Sequence, residues 1–364
     1  MIRILQLPGS INLDDGRMSA IMNVYRNIDR EKIQFDFAAT KKDGQTFESE
    51  IRKLGGRVFT LSESKSSLKN IRKLVKELLQ STNYMYLHYH SISPWGCSLG
   101  LAHKYNTRVI VHSHSAGLSD SLIKKIRNRI FSLNIPLFSD KRIAVSPEAG
   151  KALFINQNFT LIPNSIDPNK FSFNSNYRLQ IKEELNLNKH TKVIAIVGHI
   201  YKVKNQEFGV DIFNELLNSN PNLILLIIGS GNTSDNKYYS EIKQKIKLYN
   251  IQKKVKFIGS ISNMNKVYSA IDEIWIPSIY EGLPTVALEA QANGLPVIIS
   301  NNVTKILKLN RNVIFSNLTT NSWINNVKEV SLEDRDTNAI SNFENSIFNI
   351  KRIVKEWEKI YEGK

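Results

Sequence analysis

The chain has 364 residues, of which 41% are hydrophobic and 23% are charged. This length allows two medium-sized domains with ample cores, and the composition is ordinary for a soluble globular protein. Its single cysteine, Cys97, excludes an internal disulfide and a cysteine-based zinc site. The first nine residues lack the apolar core of a signal peptide, and the longest apolar run, 223–228, is far too short to span a membrane. We therefore expect a cytoplasmic protein.

Strands and helices alternate through the first half of the chain. Strands are predicted at 2–7, 34–39, 57–61, 84–88, 108–113, 142–145 and 159–162, and helices near 17–28, 46–54, 67–80, 94–105, 118–134 and 147–154. This alternation predicts a parallel sheet with helices on both faces.

The second half repeats the pattern after a polar, Asn-rich stretch at 163–191. Strands are predicted at 192–197, 223–228, 255–258, 273–276, 296–300 and 313–315, and helices near 205–218, 236–250, 263–271, 285–293, 321–329 and 337–362. The sequence therefore predicts an α/β fold with two Rossmann-like domains. Such a fold does not decide the chemistry.

The net charge of +16 is concentrated in the first half. Residues 1–165 carry 24 basic against 13 acidic residues, and the remainder carries 25 against 20. The amphipathic helix predicted at 118–134 holds Lys124, Lys125, Arg127 and Arg129, which favours an anionic membrane surface as a partner. A second basic helix near 67–80 is typical of a surface helix packed on a sheet. No nucleic-acid recognition motif accompanies this charge, so we expect no nucleic-acid partner.

Phosphate-binding motifs of other enzyme classes are missing. The chain has neither a Walker loop nor a GxGxxG sequence after its first strand, and Gly229-Ser-Gly231 lacks the third glycine. A kinase or nicotinamide enzyme is therefore disfavoured.

The segment from Val197 to Asn205 follows the first strand of the second half and leads into a helix. Gly198 permits a tight turn, and the helix N-terminus offers N–H groups to an anion. Lys204 adds a compact positive charge. Together these features suit a diphosphate.

The segment YEGLPTVALEAQANGLPVIIS, residues 280–300, is the most informative part of the chain. It places Glu281 in a loop after a buried strand and Glu289 about two turns into the following helix. Open α/β sheets present ligand sites where strands end and helices begin.

These segments resemble family 4 of the retaining nucleotide-sugar glycosyltransferases, which have the GT-B fold of two Rossmann-like domains facing each other across a cleft. The most specific match is EGLP…EAxAxGLPVI, and capsule and exopolysaccharide enzymes resemble the chain most. Further matches are Gly16, His112-Ser-His114, Ala144-Val-Ser146, Ile162-Pro-Asn-Ser-Ile-Asp167, Lys204-Asn205, Ile228-Gly229 and Phe257-Ile-Gly259.

The resemblance implies a role for each matching residue. Glu281 binds hydroxyls of the donor sugar, Glu289 binds the ribose, and Lys204 binds the diphosphate. The further donor-binding residues that it implies are Gly16, Gly198, His199, Gly259, Gly282, Leu283, Pro284 and Thr285. Either His112 or His114 faces the donor sugar, and the alignment does not choose between them.

Four positions depart from the family pattern. His199 stands where an arginine often braces the diphosphate, and a neutral imidazole supplies less charge. Asp15-Gly16 stands where the family usually has a pair of glycines, and Met18 stands where an acidic residue is common. Asn164-Ser165 replaces a common Asn-Gly.

The resemblance further implies retention of anomeric configuration, with no metal and no cofactor beyond the nucleotide-sugar substrate. Asp334-Arg335-Asp336 spells the DxD of metal-using transferases, but we interpret it as solvated surface. We expect an acceptor-side domain at 1–165, a donor-binding domain at 166–345, and a helix at 346–364 that crosses back. The predicted function is sugar transfer to a glycan or lipid-linked glycan at the inner face of the cell membrane. A non-catalytic chain that binds a partner transferase and a sugar-nucleotide epimerase remain alternatives.

Overall fold

The chain divides into two units, each built on a parallel sheet. Unit 1 comprises Met1–Ser165 and Ile347–Lys364, and unit 2 comprises Ile166–Ser346. The computed structural model describes all residues except 14, 42–43, 91–92, 118–134, 136, 156, 189, 232, 234–235, 262 and 331–333. The basic helix predicted at 118–134 therefore lies outside the described residues.

Seven strands form the sheet of unit 1, in the order β3-β2-β1-β4-β5-β6-β7. They are β1 Ile2–Gly9, β2 Ile33–Lys41, β3 Arg57–Ser62, β4 Tyr86–Tyr89, β5 Arg108–Ser113, β6 Lys141–Ala144 and β7 Thr160–Leu161. The helices between them are α1 Gly16–Asn27, α2 Glu48–Lys53, α3 Leu68–Ser81, α4 Leu99–Ala102 and α5 Pro147–Phe154. All paired strands are parallel, as the alternating pattern predicts.

Six parallel strands form the sheet of unit 2, in the order β10-β9-β8-β11-β12-β13. They are β8 Lys192–Val197, β9 Leu223–Ile228, β10 Val255–Gly259, β11 Glu273–Ile276, β12 Val297–Ser300 and β13 Val313–Ser316. The helices are α6 Ser175–Glu184, α7 Gln206–Leu217, α8 Lys237–Leu248, α9 Met264–Ala270, α10 Thr285–Ala292, α11 Thr320–Val330 and α12 Ala339–Glu344. The order reverses between β8 and β11, which makes this the switch point where open α/β sheets bind ligands.

The C-terminal helix, α13 (Ile350–Tyr361), belongs to unit 1 and packs against α1. Its apolar stripe, with Ile353, Val354 and Trp357, joins the core on that face of the sheet. A single helix over 337–362 is therefore wrong. The chain leaves α12 after Glu344, and Asn349 starts α13 by accepting hydrogen bonds from two first-turn N–H groups.

The structure adds a helix in one polar segment and corrects the interpretation of another. The Asn-rich stretch at 163–191 contains α6, which begins when the Asn174 side chain accepts hydrogen bonds from Asn176 and Tyr177. The DxD segment is not wholly solvated surface, because Asp336 is 7% exposed and accepts a hydrogen bond from the backbone of Asn338 at 2.9 Å. Arg335 donates to the Ser269 carbonyl at 3.2 Å. This segment therefore ties the end of α9 to neighbouring loops.

No helix in the described part of the chain is both long enough and apolar enough to cross a membrane.

Candidate functional site

Two loops meet at the switch point of unit 2, one after β8 and one after β11. The first forms a short 3₁₀ turn, Lys202–Lys204, before α7 begins. The N–H of Ile279 in the second loop donates to the carbonyl of Val203 at 2.8 Å. This backbone bond holds together two segments that lie far apart in the sequence, and each carries a residue predicted to bind the donor.

Lys204 and Glu281 form an ion pair across these loops. The Lys204 ammonium donates to a carboxylate oxygen of Glu281, and Ser278 Oγ donates to the same oxygen at 2.9 Å. Both side chains are mostly buried, at 27% and 16% exposure. The structure therefore brings the two predicted residues together, with a cation and an anion available to a ligand that displaces their mutual contact.

Glu289 lies in the second turn of α10 and contacts α9. Tyr268 Oη donates to Glu289 Oε2 at 2.8 Å. Burial raises the pKa of Glu289, while hydrogen bonds from Tyr268 and Thr285 act in the opposite direction. The pKa of Tyr268 is itself raised well above its ordinary value by burial and by the Glu289 charge, so its hydroxyl remains a donor. Glu289 is thus a positioned hydrogen-bond acceptor.

The backbone between the two glutamates forms the entry to α10. Pro284 is extended, at φ −67° and ψ 118°, and caps the helix, which begins at Thr285. Gly282 and Leu283 are buried beside it. This start agrees with the helix predicted near 285–293.

Tightly packed glycines end the strands beside this site. Gly198 follows β8 with φ 147°, and its N–H donates to the Ile228 carbonyl at 2.8 Å. A Cβ on Gly229 would lie 2.1 Å from the Gly198 carbonyl oxygen. Gly259 ends β10 and accepts a hydrogen bond from the Gly229 N–H at 2.9 Å. Gly229, which the sequence supports only weakly as a ligand residue, has a clear packing role here.

His199 is exposed in the loop after β8. Its Nδ1 lies 2.6 Å from Ser230 Oγ, and its carbonyl accepts a hydrogen bond from Gln206 at 3.0 Å. The imidazole is therefore held by the loop after β9.

In unit 1, Gly16 is the first residue of α1. Asp15 caps this helix by accepting a hydrogen bond from the Arg17 N–H at 3.0 Å and forms an ion pair with the Arg17 guanidinium at 2.7 Å. Met18, where the family often has an acid, is fully buried in the core. Its side chain therefore contributes packing to unit 1.

The two predicted histidines belong to a larger set, called here the histidine cluster. Its members are His88 and His90 from β4 and the residues after it, and His112 and His114 from β5 and the residues after it. Sequence reasoning missed the first pair, although the HxH spacing at the end of a strand is the same in both. Side chains two residues apart share one face of a strand, and β4 and β5 are neighbours.

Hydrogen bonds fix part of this cluster. His90 Nε2 lies 2.6 Å from Gln6 Oε1, His90 Nδ1 lies 3.0 Å from His114 Nε2, and His88 Nδ1 lies 2.8 Å from Tyr361 Oη. Burial lowers the pKa of each of the four histidines well below 6.5, with help from neighbouring imidazoles or Arg17. The cluster is therefore neutral at pH 7.

Two family models together match most of the chain. The model described as "Glycosyltransferase Family 4" matches residues 19–170, and the one described as "Glycosyl transferases group 1" matches residues 178–321.

Curated relatives extend the similarity over most of the sequence. The putative glycosyltransferase EpsF of Bacillus subtilis is 28% identical over 83% of this chain and 80% of its own length. The UDP-Gal:alpha-D-GlcNAc-diphosphoundecaprenol alpha-1,3-galactosyltransferase of Escherichia coli is 26% identical over 83% and 81%. The capsular polysaccharide biosynthesis glycosyltransferase CapH of Staphylococcus aureus is 24% identical over 100% and 99%.

Solved structures share the fold across the whole chain. Anabaena Alr3699/HepE in complex with UDP and glucose superposes with a TM-score of 0.83 at 15% identity, with full coverage of both chains. Sucrose-phosphate synthase from Thermosynechococcus elongatus also reaches 0.83, at 19% identity, over 100% of this chain and 99% of the other. The predicted GT-B fold class is confirmed.

Proposed function

The chain belongs to the family 4 glycosyltransferases, and we propose that it moves a sugar from a nucleotide diphosphate onto a lipid-linked glycan during cell-surface polysaccharide synthesis. The relatives support this proposal, since EpsF is named as a putative glycosyltransferase and CapH as a glycosyltransferase of capsular polysaccharide biosynthesis. The Escherichia coli enzyme is named for a UDP-sugar donor and a diphosphoundecaprenol-linked acceptor. UDP-sugars are accordingly the first donors to test. These activities favour transfer over a non-catalytic partner chain or an epimerase.

The ion pair of Lys204 and Glu281 at the switch point of unit 2 is the observation on which the proposal rests. A nucleotide sugar presents a diphosphate to a cation and sugar hydroxyls to an acceptor. Lys204 would bind the diphosphate, Glu281 the sugar hydroxyls, and Glu289 the ribose hydroxyls. The ligand would exchange the Lys204–Glu281 contact for one contact with each residue, so little new charge is buried without a partner.

Backbone groups complete the proposed donor site. The first N–H groups of α10 face the ligand end of a parallel sheet, where the helix dipole favours the negative diphosphate. Gly198 and Gly259 permit close approach of the backbone, with Gly198 held at φ 147°. His199 supplies a hydrogen-bonding group where an arginine is more common.

Transfer breaks the bond between the anomeric carbon and the diphosphate oxygen. Negative charge develops on the leaving diphosphate, and fixed donors such as Lys204 stabilise it; loss of one such donor costs about 3–4 kcal/mol in comparable sites. We propose retention, in which the acceptor oxygen attacks from the face that the diphosphate leaves. The acceptor proton passes to a diphosphate oxygen, so transfer itself requires neither a protein base nor a metal.

The excess of basic residues fits an enzyme working on an anionic membrane. The net charge is +16, and the basic segment at 118–134 gives it a candidate contact with lipid headgroups. We propose peripheral attachment at the inner face of the membrane, where the lipid-linked acceptor is held.

A binding experiment on Lys204 tests the donor site. Wild-type protein and the Lys204→Gln and Glu281→Gln variants are titrated with UDP and a panel of UDP-sugars by isothermal calorimetry. Lys204→Gln should weaken UDP binding by about 10–100-fold, because a hydrogen bond to a charged group is worth about 1.5–3 kcal/mol. The matched control is Lys202→Gln, since Lys202 is exposed in the same 3₁₀ turn and should leave affinity unchanged.

The double variant Lys204→Gln/Glu281→Gln separates ligand contacts from the loss of the ion pair. If Lys204→Gln fails only because Glu281 is left unpaired, the double variant should regain affinity for UDP. Equal UDP affinity in the wild type and Lys204→Gln would contradict the assignment, and so would the failure of every nucleotide sugar to bind.

A further inference from the structure

Unit 1 contains a groove between the edge of its sheet and the C-terminal helix. The groove is lined by β6, by the edge strand β7 and by α13, and its volume is about 490 Å³. Ligand-binding clefts usually measure about 300–1,000 Å³, so this space is large enough for a small molecule. None of the residues predicted to bind the donor lines it.

The floor of the groove is apolar. Ile353 of α13 is buried there, and Leu161 of β7 and Ile347, which precedes α13, lie beside it. Leu161 and Ile347 are 40% and 39% exposed. Exposed apolar side chains that lie together in a cleft are typical of a surface that binds an apolar group.

Charged residues surround this floor. Four are basic and one is acidic, namely Lys141, Arg352, Lys359, Lys364 and Glu356. Lys359 pairs with Glu356 at 3.1 Å, and Lys364 pairs with Glu362 at 2.6 Å. These two ion pairs balance their own charges, so the remaining two basic residues decide the charge of the groove.

Lys141 and Arg352 leave an unbalanced positive charge. Neither forms an ion pair within the described part of the chain, and Lys141 Nζ donates only to the Lys364 carbonyl, at 3.4 Å. A guanidinium binds two phosphate oxygens at once, and a lysine adds a compact charge. The ligand that complements this rim is therefore an anion such as a phosphate.

An apolar floor beside an anion-binding rim fits an amphiphile. A sugar would need free carboxylates for its hydroxyls, but the one carboxylate here is held by Lys359. A strand from a partner would need a longer edge, because β7 has only two residues. We propose that the groove binds one anionic phospholipid, with its phosphate on Lys141 and Arg352 and its acyl chains on Leu161 and Ile347. This deepens the membrane attachment in the proposed function and rests on it.

The helix α13 supplies a matched control for this proposal. Arg352 lines the groove, whereas Lys351 and Lys355 of the same helix do not. Both lysines are exposed, and neither forms an ion pair with a described residue. Removing them changes the net charge by the same amount as removing Lys141 and Arg352, but leaves the groove intact.

Calorimetry with a soluble phospholipid tests the groove. Dihexanoylphosphatidylglycerol, kept below its micelle concentration, is titrated into the full-length chain, and one equivalent should bind. Dihexanoylphosphatidylcholine has no net charge, and glycerol 3-phosphate has no acyl chains. Each should therefore bind at least about 10-fold more weakly. Equal binding of glycerol 3-phosphate would show a plain phosphate site and contradict the proposal.

Two double variants locate the binding. Lys141→Gln/Arg352→Gln should weaken phosphatidylglycerol binding by about 30-fold, because each basic residue near an anionic lipid contributes a factor of about five. Lys351→Gln/Lys355→Gln should bind as the wild type does. Circular dichroism confirms that both variants are folded.

Vesicle sedimentation separates the groove from the basic segment at 118–134, which both variants retain. With phosphatidylcholine vesicles that contain phosphatidylglycerol, only Lys141→Gln/Arg352→Gln should lose affinity. Equal affinity of the two variants, or failure of the wild type to bind the soluble lipid, overturns the proposal and leaves an acidic protein segment as the candidate occupant. UDP titration of the wild type is a separate measurement, since its failure would contradict the donor site and leave the lipid result standing.

Discussion

The hydrogen bond between Tyr268 and Glu289 makes a quantitative prediction about unit 2. Tyr268→Phe removes one hydroxyl from a fully buried side chain and leaves the ring, with its edge contact to Phe171 at 6.0 Å, in place. No cavity larger than the hydroxyl is created. The free-energy change of unfolding therefore reports the 2.8 Å bond to Glu289 and little else.

The expected loss follows from the charge of the acceptor. A hydrogen bond to a charged group contributes about 1.5–3 kcal/mol, and the hydroxyl cannot be replaced by water at a buried ring. For a unit of this size, about 2–4 °C per kcal/mol converts the loss to a fall of about 3–12 °C in the thermal midpoint. Tyr239→Phe is the matched control, because the Tyr239 hydroxyl has no hydrogen-bond partner among the residues described.

The destabilisation should also depend on pH, in a known direction. Burial raises the pKa of Glu289 in the folded chain, and the Tyr268 bond opposes that rise. Without Tyr268 the folded pKa rises further above that of the unfolded chain, so the folded variant takes up a proton more readily. The difference between the wild type and Tyr268→Phe is thus largest above the folded pKa and shrinks as pH falls.

Urea unfolding of both chains at pH 7.5 and pH 5.0, followed by circular dichroism, measures this difference. Subtracting the wild type at each pH removes contributions from other titrating groups. A Tyr268→Phe chain as stable as Tyr239→Phe, or a difference that grows toward pH 5.0, would refute the role assigned to this bond.

Two further predictions concern other parts of the chain. Burial lowers the pKa of the histidine cluster, so the unfolded chain binds more protons below pH 6.5 than the folded chain does. The unfolding free energy of unit 1 should therefore fall by up to about 1.4 kcal/mol per pH unit for each histidine as the pH falls. Flat stability between pH 7.5 and 5.5 in urea unfolding would contradict this. Gly229→Ala should lower the unfolding free energy by more than about 1 kcal/mol, because its Cβ would meet the Gly198 carbonyl at 2.1 Å, whereas Gly16→Ala has open space and should change it little in the same assay.

Secondary-structure predictions were correct where the residues of a segment determine its structure by themselves. The apolar runs at Leu223–Ile228 and Glu273–Ile276 form the strands predicted for them, because a short β-rich run between polar turns favours a buried strand. The predictions were wrong where one capping side chain, and not the composition of the segment, sets the start of a helix. Asn174 caps a helix in a stretch where none was predicted, and Asn349 caps a helix that starts inside the single helix predicted at 337–362.

The charged segment at Asp334–Asp336 was wrongly predicted for a different reason. Its composition is typical of an exposed loop, but Asp336 is buried by hydrogen bonds to backbone groups of Arg311 and Asn338. Burial of a charge depends on partners from other segments, which hydropathy does not contain.

The sequence by itself determined the family resemblance and the α/β fold, and it predicted roles for the glutamate motif, since these depend on short patterns read along the chain. Only the tertiary structure decided which side chains meet. Lys204 reaches Glu281, and two HxH pairs form one buried cluster, because parallel strands bring the ends of distant segments to the same edge of a sheet. Contacts of this kind depend on strand order, which no local periodicity encodes.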